Sequence, residues 1–397
     1  MHPVREIAVP GFRGGAVWCG IKKNRKTDLA IVLSDRPCTS DVLFTRNRVV
    51  AAPIEWGRGQ RSRSALRGVI ANSGNANACT GRKGLAAVRK ISAEACGKLG
   101  LPDESLLVSS TGVIGVPLPE GKILAAIPRL RASLSGEGIQ RAGKAILTTD
   151  AYPKRAMRKV RVRGGTVTLG GIAKGAGMIA PSMGTMLAYV FTDAAVRSSD
   201  LRKAFRGAVA RSFHRIVVDG DMSTNDTTAI FANGACGLPS LEGKDLADFA
   251  EALHELLLDL ALMIVRDGEG ATRVVRISIT GARSDRAAEA AARAVATSLL
   301  VKTAVFGADP NWGRVIAAVG RSGIDMDPAR AELSFAGEKV MRRGMVIDRQ
   351  AERRAAPKIR KEAYGIDVAL GLGKGSYFVY FSDLGHGYIR INAGYRT

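Results

Sequence analysis

The stretch KGAGMIAPSMGTMLAYVFTD, residues 174–193, is where the chain changes character. Lys174 to Gly184 is small-residue and carries a proline, whereas Met186 to Phe191 is an apolar, β-favouring run. Thr185 stands at the junction, directly after Gly184. A hydroxyl at the mouth of a buried strand, preceded by a residue without a side chain, is easy to approach, and the Gly184 carbonyl is left unshielded. That arrangement suits attack of the Thr185 hydroxyl on its own preceding peptide bond. The product is a chain that starts at Thr185, whose free α-amine can act as base for its own hydroxyl. An α-amine titrates near about pH 8, so part of it is unprotonated at neutrality. An amide nitrogen cannot take that proton. The plain alternative is an ordinary loop-to-strand threonine.

The segment resembles the self-cleavage segment of the ornithine acetyltransferase family, the glutamate N-acetyltransferases of arginine biosynthesis. That family's pattern reads KG-small-GMI-x-PNM-(A or G)-TML. Ser182 stands here where Asn is usual, and Gly184 where Ala is commoner. The matches continue along nearly the whole chain. The resemblance implies an α+β fold: an αββα sandwich like that of the threonine- and serine-nucleophile aminopeptidases, plus a smaller C-terminal lobe. It implies cleavage between Gly184 and Thr185 into chains 1–184 and 185–397, which stay together as a heterotetramer of two of each. It also implies transfer of acetyl from N2-acetylornithine to glutamate through an acyl-enzyme on Thr185, with no metal and no tightly held cofactor. Acetyl-CoA is a second donor in bifunctional relatives, and the sequence leaves its use here open.

Acyl transfer also needs donors for the oxyanion. Ser109 to Gly112 follows the apolar Leu106 to Val108 and reads as a turn. The family's oxyanion pair maps onto Thr111 and Gly112. One such donor is worth roughly 3 kcal/mol of barrier. Lys174, Glu269, Asn392 and Thr397 match the family's substrate contacts. A lysine beside a Gly-rich turn can meet a carboxylate, and Glu269, flanked by glycines, suits the ornithine side-chain amine. The family reads Thr-Thr-Asp-Thr where this chain has Thr148-Thr149-Asp150-Ala151, with a Thr that contacts substrate. Thr149 is the candidate here. If the last Thr is the contact, one hydroxyl is missing and amino-acid preference differs. Three further matches, Asn72 to Asn77, Asp219 to Asp226 and Asp309 to Arg314, are expected to organise the site. Asp219, Asp221 and Asp226 lack the spacing of a calcium loop and read instead as a hydrogen-bonded turn network.

The 397 residues, 46% hydrophobic and 24% charged, suffice for a large core. No apolar run reaches membrane-spanning length, and the start, MHPVREIAVPGF, has no signal-peptide core. A soluble cytoplasmic protein is expected. Five scattered cysteines form no CxxC pair, and four scattered histidines make no metal-ligand spacing. Lys+Arg outnumber Asp+Glu by 59 to 36, a net charge of +23, with the basic residues spread over many segments and thickest at 22–26, 58–67, 154–163 and 353–361. These runs read as solvated faces. They leave nucleic-acid binding open as an alternative class, although aromatics, at 5%, do not interleave with them. A second alternative keeps the fold and makes water the acceptor, giving an aminopeptidase or amidase.

Strand patterns fall at 28–33, 67–72, 215–219, 273–281, 331–335 and 377–381, and helical spacing at 83–99, 199–211, 244–265 and 284–301. Ser199 is a candidate N-cap. Leu246, Phe249, Leu253, Leu256, Leu257, Leu260 and Ile264 form one wide stripe. A lobe boundary is expected near Gly281, dividing 1–280 from 281–397.

Overall fold

The structure is a computed structural model in which residues 6–60, 66–180, 186–348 and 350–394 are described. The first third folds as β1 (Phe12–Val17), β2 (Leu29–Ser34), β3 (Thr39–Phe44), α1 (Ala52–Gly59), β4 (Gly68–Asn75), α2 (Gly81–Leu99) and β5 (Leu106–Val113). Helices α3 (Glu120–Ala132) and α4 (Ile139–Ala145) lead into the hairpin β6 (Lys154–Val162) and β7 (Gly165–Lys174), followed by β8 (Leu187–Thr192). Then come α5 (Ser198–Arg211), β9 (Ile216–Val217), β10 (Thr227–Ala232) and α6 (Gly243–Arg266).

Two sheets result, ordered β1-β2-β4-β5 and β3-β10-β8-β7-β6. Both are covered on both faces, which is why β2 and β8 read as unbroken apolar runs and are buried throughout. Successive side chains still part to opposite faces. Ala30, Val32, Val69 and Leu107 of the first sheet meet Ile172, Leu187, Tyr189 and Phe231 of the second. Their neighbours Ile31, Ile70, Leu106 and Val108 turn outward onto α2 and α3. On the far side, Ala188, Val190 and Ile230 pack on α5 and α6. The layers are therefore helix, sheet, sheet, helix: an αββα sandwich.

A third sheet follows. Its elements are β11 (Val274–Ala282), α7 (Asp285–Ala296), α8 (Leu299–Phe306), α9 (Trp312–Gly320), β12 (Glu332–Phe335), β13 (Glu338–Arg342), β14 (Met345–Val346), α10 (Ala351–Ala355), β15 (Ala363–Ala369), β16 (Gly375–Ser382) and α11 (His386–Gly394). The strand order is β14-β13-β12-β15-β11-β16-β9, so the short β9 borders this sheet. Val275, Ile277 and Ile279 bury one face of it against Ala288, Ala291 and Val295 of α7. Among the described residues, no helix is long and apolar enough to cross a membrane.

The α6 stripe is buried as its spacing requires, with Phe249, Leu253, Leu256, Leu257, Leu260 and Ile264 all at 0% exposure and Leu246 only partly covered. Elsewhere the structure departs from the sequence reading. The 284–301 helix is two helices: the first ends at Ala296 with Thr297 as its C-cap, and the Ser298 hydroxyl accepts from the Val301 N–H to start the second. Ser199 is not a cap: α5 begins one residue earlier, behind Arg197, without a side-chain cap. Ser109 to Gly112 is not a turn but continues β5 to Val113.

Candidate active site

β4 and β5 run parallel, which sets Thr111 opposite Ser73 and Gly112 opposite Gly74. Gly112 has φ +131, and a Cβ there would fall 2.4 Å from the Gly74 carbonyl carbon. Only glycine fits, so the backbone at Gly112 is free to leave the strand's regular path. Behind it the wall is tied by side chains. The Asn225 amide donates to the carbonyls of Ala76 (2.6 Å) and Ser110 (2.9 Å). The Ser110 hydroxyl donates to Asn72 Oδ1 at 2.7 Å, and Asn72 donates to the Asn75 carbonyl at 2.9 Å. The Asn72–Asn77 and Asp219–Asp226 matches thus brace the strand that carries Thr111 and Gly112 together.

Lys174 ends β7, directly across from Leu187 of β8. It is 2% exposed. Its Nζ donates to Thr111 Oγ1 at 3.4 Å, and Asp150 Oδ2 stands 4.0 Å away. Accepting from Lys174 leaves the Thr111 proton free to point elsewhere. Burial pushes the Lys174 ammonium's pKa down, and Asp150 opposes that. Burial likewise pushes the Asp150 carboxyl up, but Lys174 and Lys154 together outweigh it and hold the group below the usual carboxylate range. Lys154 Nζ lies 2.5 Å from both Asp150 Oδ1 and Asp267 Oδ2.

The opposite wall comes from the turn after α6 and from α11. Glu269 is 8% exposed and accepts from the Asn392 amide at 2.8 Å. Its N–H donates to the Ala176 carbonyl at 3.0 Å. Asp219 accepts from the N–H groups of Met178 (2.7 Å), Ile179 (2.9 Å) and Asp221 (3.2 Å). Asp226 accepts from the Met186 N–H at 2.9 Å. Both carboxyls are pushed up by burial.

Between these walls lies a cavity of about 350 Å³. Thr111, Gly112, Lys174, Asp219, Asp221, Glu269, Tyr388 and Asn392 are among the residues that line it. Its lining carries both signs: the buried Lys174 cation, with the Thr111 hydroxyl beside it, and the carboxyls of Asp219, Asp221 and Glu269. It suits a ligand with a carboxylate at one end and an amine at the other. Thr148 and Thr149 also line it, whereas Ala151 is exposed and turns its N–H to Asp267 Oδ2 at 3.0 Å. Gly184, Thr185 and Thr397 lie outside the described residues. Among the described residues, no group of three or more His, Cys, Asp or Glu side chains is arranged to hold a metal ion.

The structure brings in residues that the sequence reading missed: Asp150, Lys154, Asp267 and Tyr388. The 154–163 basic run was read as a solvated face, yet Lys154 is fully buried. Its one local signal is the four-residue spacing from Asp150. The Asp309–Arg314 match does not line the cavity. Asn311 caps α9 by accepting from the Arg314 N–H, and Arg314 donates to the Leu300 carbonyl.

A family model described as the ArgJ family matches residues 13–397. The arginine biosynthesis bifunctional protein ArgJ of Geobacter sulfurreducens is 49% identical over 391 residues, covering 98% of this chain and 100% of that one. A solved chain of the corresponding Bacillus halodurans protein is 36% identical with a TM-score of 0.50, covering 52% of this chain and 98% of its own length. Ornithine acetyltransferase from Mycobacterium tuberculosis, solved with ornithine, is also 36% identical, at a TM-score of 0.41, covering 46% of this chain and 98% of its own. With a family match across almost its whole length, and with the cavity built on that family's motifs, the chain belongs to the ArgJ family.

Proposed function

We propose that this protein moves acetyl from N2-acetylornithine to glutamate, after cutting itself between Gly184 and Thr185 into chains 1–184 and 185–397. The observation that carries the reading is the place of Lys174, buried between Thr111 and the start of β8. Leu187 faces Lys174 across the sheet, and Thr185 is two residues before it in sequence. In support, the solved Bacillus halodurans chain is matched over 98% of itself yet spans only 52% of this one. A relative divided near its middle has that length.

In the first half-reaction the Thr185 hydroxyl gives its proton to its own α-amine as its oxygen attacks the acetyl carbonyl. Thr111 and Gly112 donate to the developing oxyanion. The amide C–N bond breaks, and the proton leaves with the α-amine of ornithine. In the second, the glutamate amine attacks the acetyl ester, the C–O bond breaks, and the Thr185 hydroxyl is restored. Lys174 takes a substrate carboxylate, and Glu269, held by Asn392, takes the ornithine side-chain amine. Thr149 and Thr397 complete the contacts. No cofactor is bound in this scheme, and acetyl-CoA enters only as an alternative donor. The proposal extends to a cytoplasmic heterotetramer with two copies of each chain.

Denaturing mass spectrometry and an acetyl-transfer assay test it together. The expected result is two fragments, transfer from N2-acetylornithine to glutamate, and an uncut, inactive Thr185→Ala variant. Full-length chain with full activity would overturn it.

A further inference from the structure

We propose that Lys154 and Asp267 are positioning residues for substrate binding: Lys154, itself held by Asp267, engages Asp150 and so leaves the Lys174 ammonium unlocked and available to a substrate carboxylate. The inference deepens the reading of Lys174 given above and rests on it.

Four charged groups are buried in a row, Asp267, Lys154, Asp150 and Lys174, two of each sign. Lys154 Nζ sits 2.5 Å from both carboxylates. The remaining acceptor capacity of Asp150 goes to the backbone: Oδ1 also accepts from the Gly175 N–H at 2.6 Å, and Oδ2 from the Thr148 N–H at 3.0 Å. Asp150 is thereby fixed and nearly saturated. Lys174 stands 4.0 Å from it, beyond hydrogen-bond reach but close enough to benefit from its charge. Among the described residues, the hydrogen-bond acceptor of Lys174 Nζ is Thr111 Oγ1, at a long 3.4 Å. An ammonium has three donors, and Lys174 lines the cavity.

Without Lys154 the balance changes. Lys174 would be the fully buried cation left beside Asp150, since Lys22, also in its field, is only part-buried and is held by the Leu147 carbonyl, and the strongest pair available to Asp150 would be a direct bridge to Lys174. Lys174 would then be bound to its own protein rather than to the ligand. Asp150 also holds the Thr148 N–H, and Lys22 Nζ holds the Leu147 carbonyl at 2.7 Å, so the Thr148–Thr149 wall stays in place through that second clamp.

The test compares binding of ornithine with binding of 1,4-diaminobutane, which is ornithine without its carboxylate, by isothermal titration calorimetry. The proteins are cleaved wild type, Lys154→Met, Lys154→Arg and the charge-balanced pair Lys154→Met with Asp267→Asn. The last keeps the cluster neutral should the single change fail to fold. Wild type should prefer ornithine by about tenfold or more, the worth of a charge-assisted hydrogen bond. Lys154→Met and the balanced pair should lose most of that preference while holding 1,4-diaminobutane within about threefold, and Lys154→Arg should restore it. Equal weakening toward both ligands, or an unchanged preference, would overturn the proposal while leaving the proposed function standing. A wild type that prefers neither ligand would overturn the carboxylate role of Lys174, and this inference with it.

Discussion

Gly177 and Glu269 meet so closely that a methyl group at position 177 would lie 2.6 Å from the Glu269 carboxylate. The atom in the way is the end of a flexible side chain, so Glu269 rather than the backbone must move. Gly177→Ala should raise KM for N2-acetylornithine about tenfold with kcat nearly unchanged, because Glu269 loses its alignment to Asn392 and to the amine. Its Tm should stay within about 2 °C of wild type, which differential scanning calorimetry would check. His214 tests the pH response. Burial first, then Arg46 and Arg293, push it down to about 4 from 6.5. The unfolded chain therefore takes up a proton between those values that the folded one refuses, and stability falls as pH falls from 6.5 to 4. Urea titrations at pH 7 and pH 4.5 should show His214→Gln losing less stability on acidification, by up to about 3 kcal/mol. The family resemblance singled out Lys174, Glu269 and Asn392, the first two also standing beside glycines. It missed Lys154, because a buried cation and a solvated one have the same letter. Only the arrival of Asp267 from 113 residues away makes the difference.

At the scale of the element, α11 stands apart. None of its residues is buried. It is held to the cavity by Asn392 on Glu269, by the Tyr388 hydroxyl donating to Asp219 at 3.5 Å, and by the close approach of Gly387 to Gly270. Elements with so little buried area open at low cost. Hydrogen exchange over 386–394 should be fast in the free protein and slow several-fold when ornithine is bound; equal rates would remove α11 from the site. The sequence made long elements legible and short irregular ones not. The wide stripe of α6 announces itself, since six of its residues must all vanish into one core. The break at Thr297–Ser298 does not, because an Ala-rich run continues through it and the restart is a single hydroxyl. The path of β5 through Gly112 was hidden for a related reason: Ser-Thr-Gly is common in turns, and what keeps it in a strand is its neighbour, β4.

Across the whole molecule, a net charge of +23 surrounds a cavity that must admit glutamate, an anion. Long-range attraction of that kind is screened beyond about 8–10 Å at physiological salt. The kcat/KM for glutamate should therefore fall as ionic strength rises, while that for the net-neutral N2-acetylornithine stays nearly flat. Stopped-flow or steady-state rates between low and high salt would decide it, and parallel curves would dissociate the charge from the reaction.

The order β3-β10-β8-β7-β6 carries one more consequence. Strands from either side of position 184 are interleaved within that sheet: β10 and β8 are wedged between β3 and β7. The proposed cut there would turn one polymer into two that share a single hydrogen-bonded ladder. Neither fragment can regain its shape alone, so renaturation becomes a bimolecular encounter whose half-time shortens as the fragments are concentrated. Uncut Thr185→Ala, still one polymer, should renature at a rate indifferent to dilution.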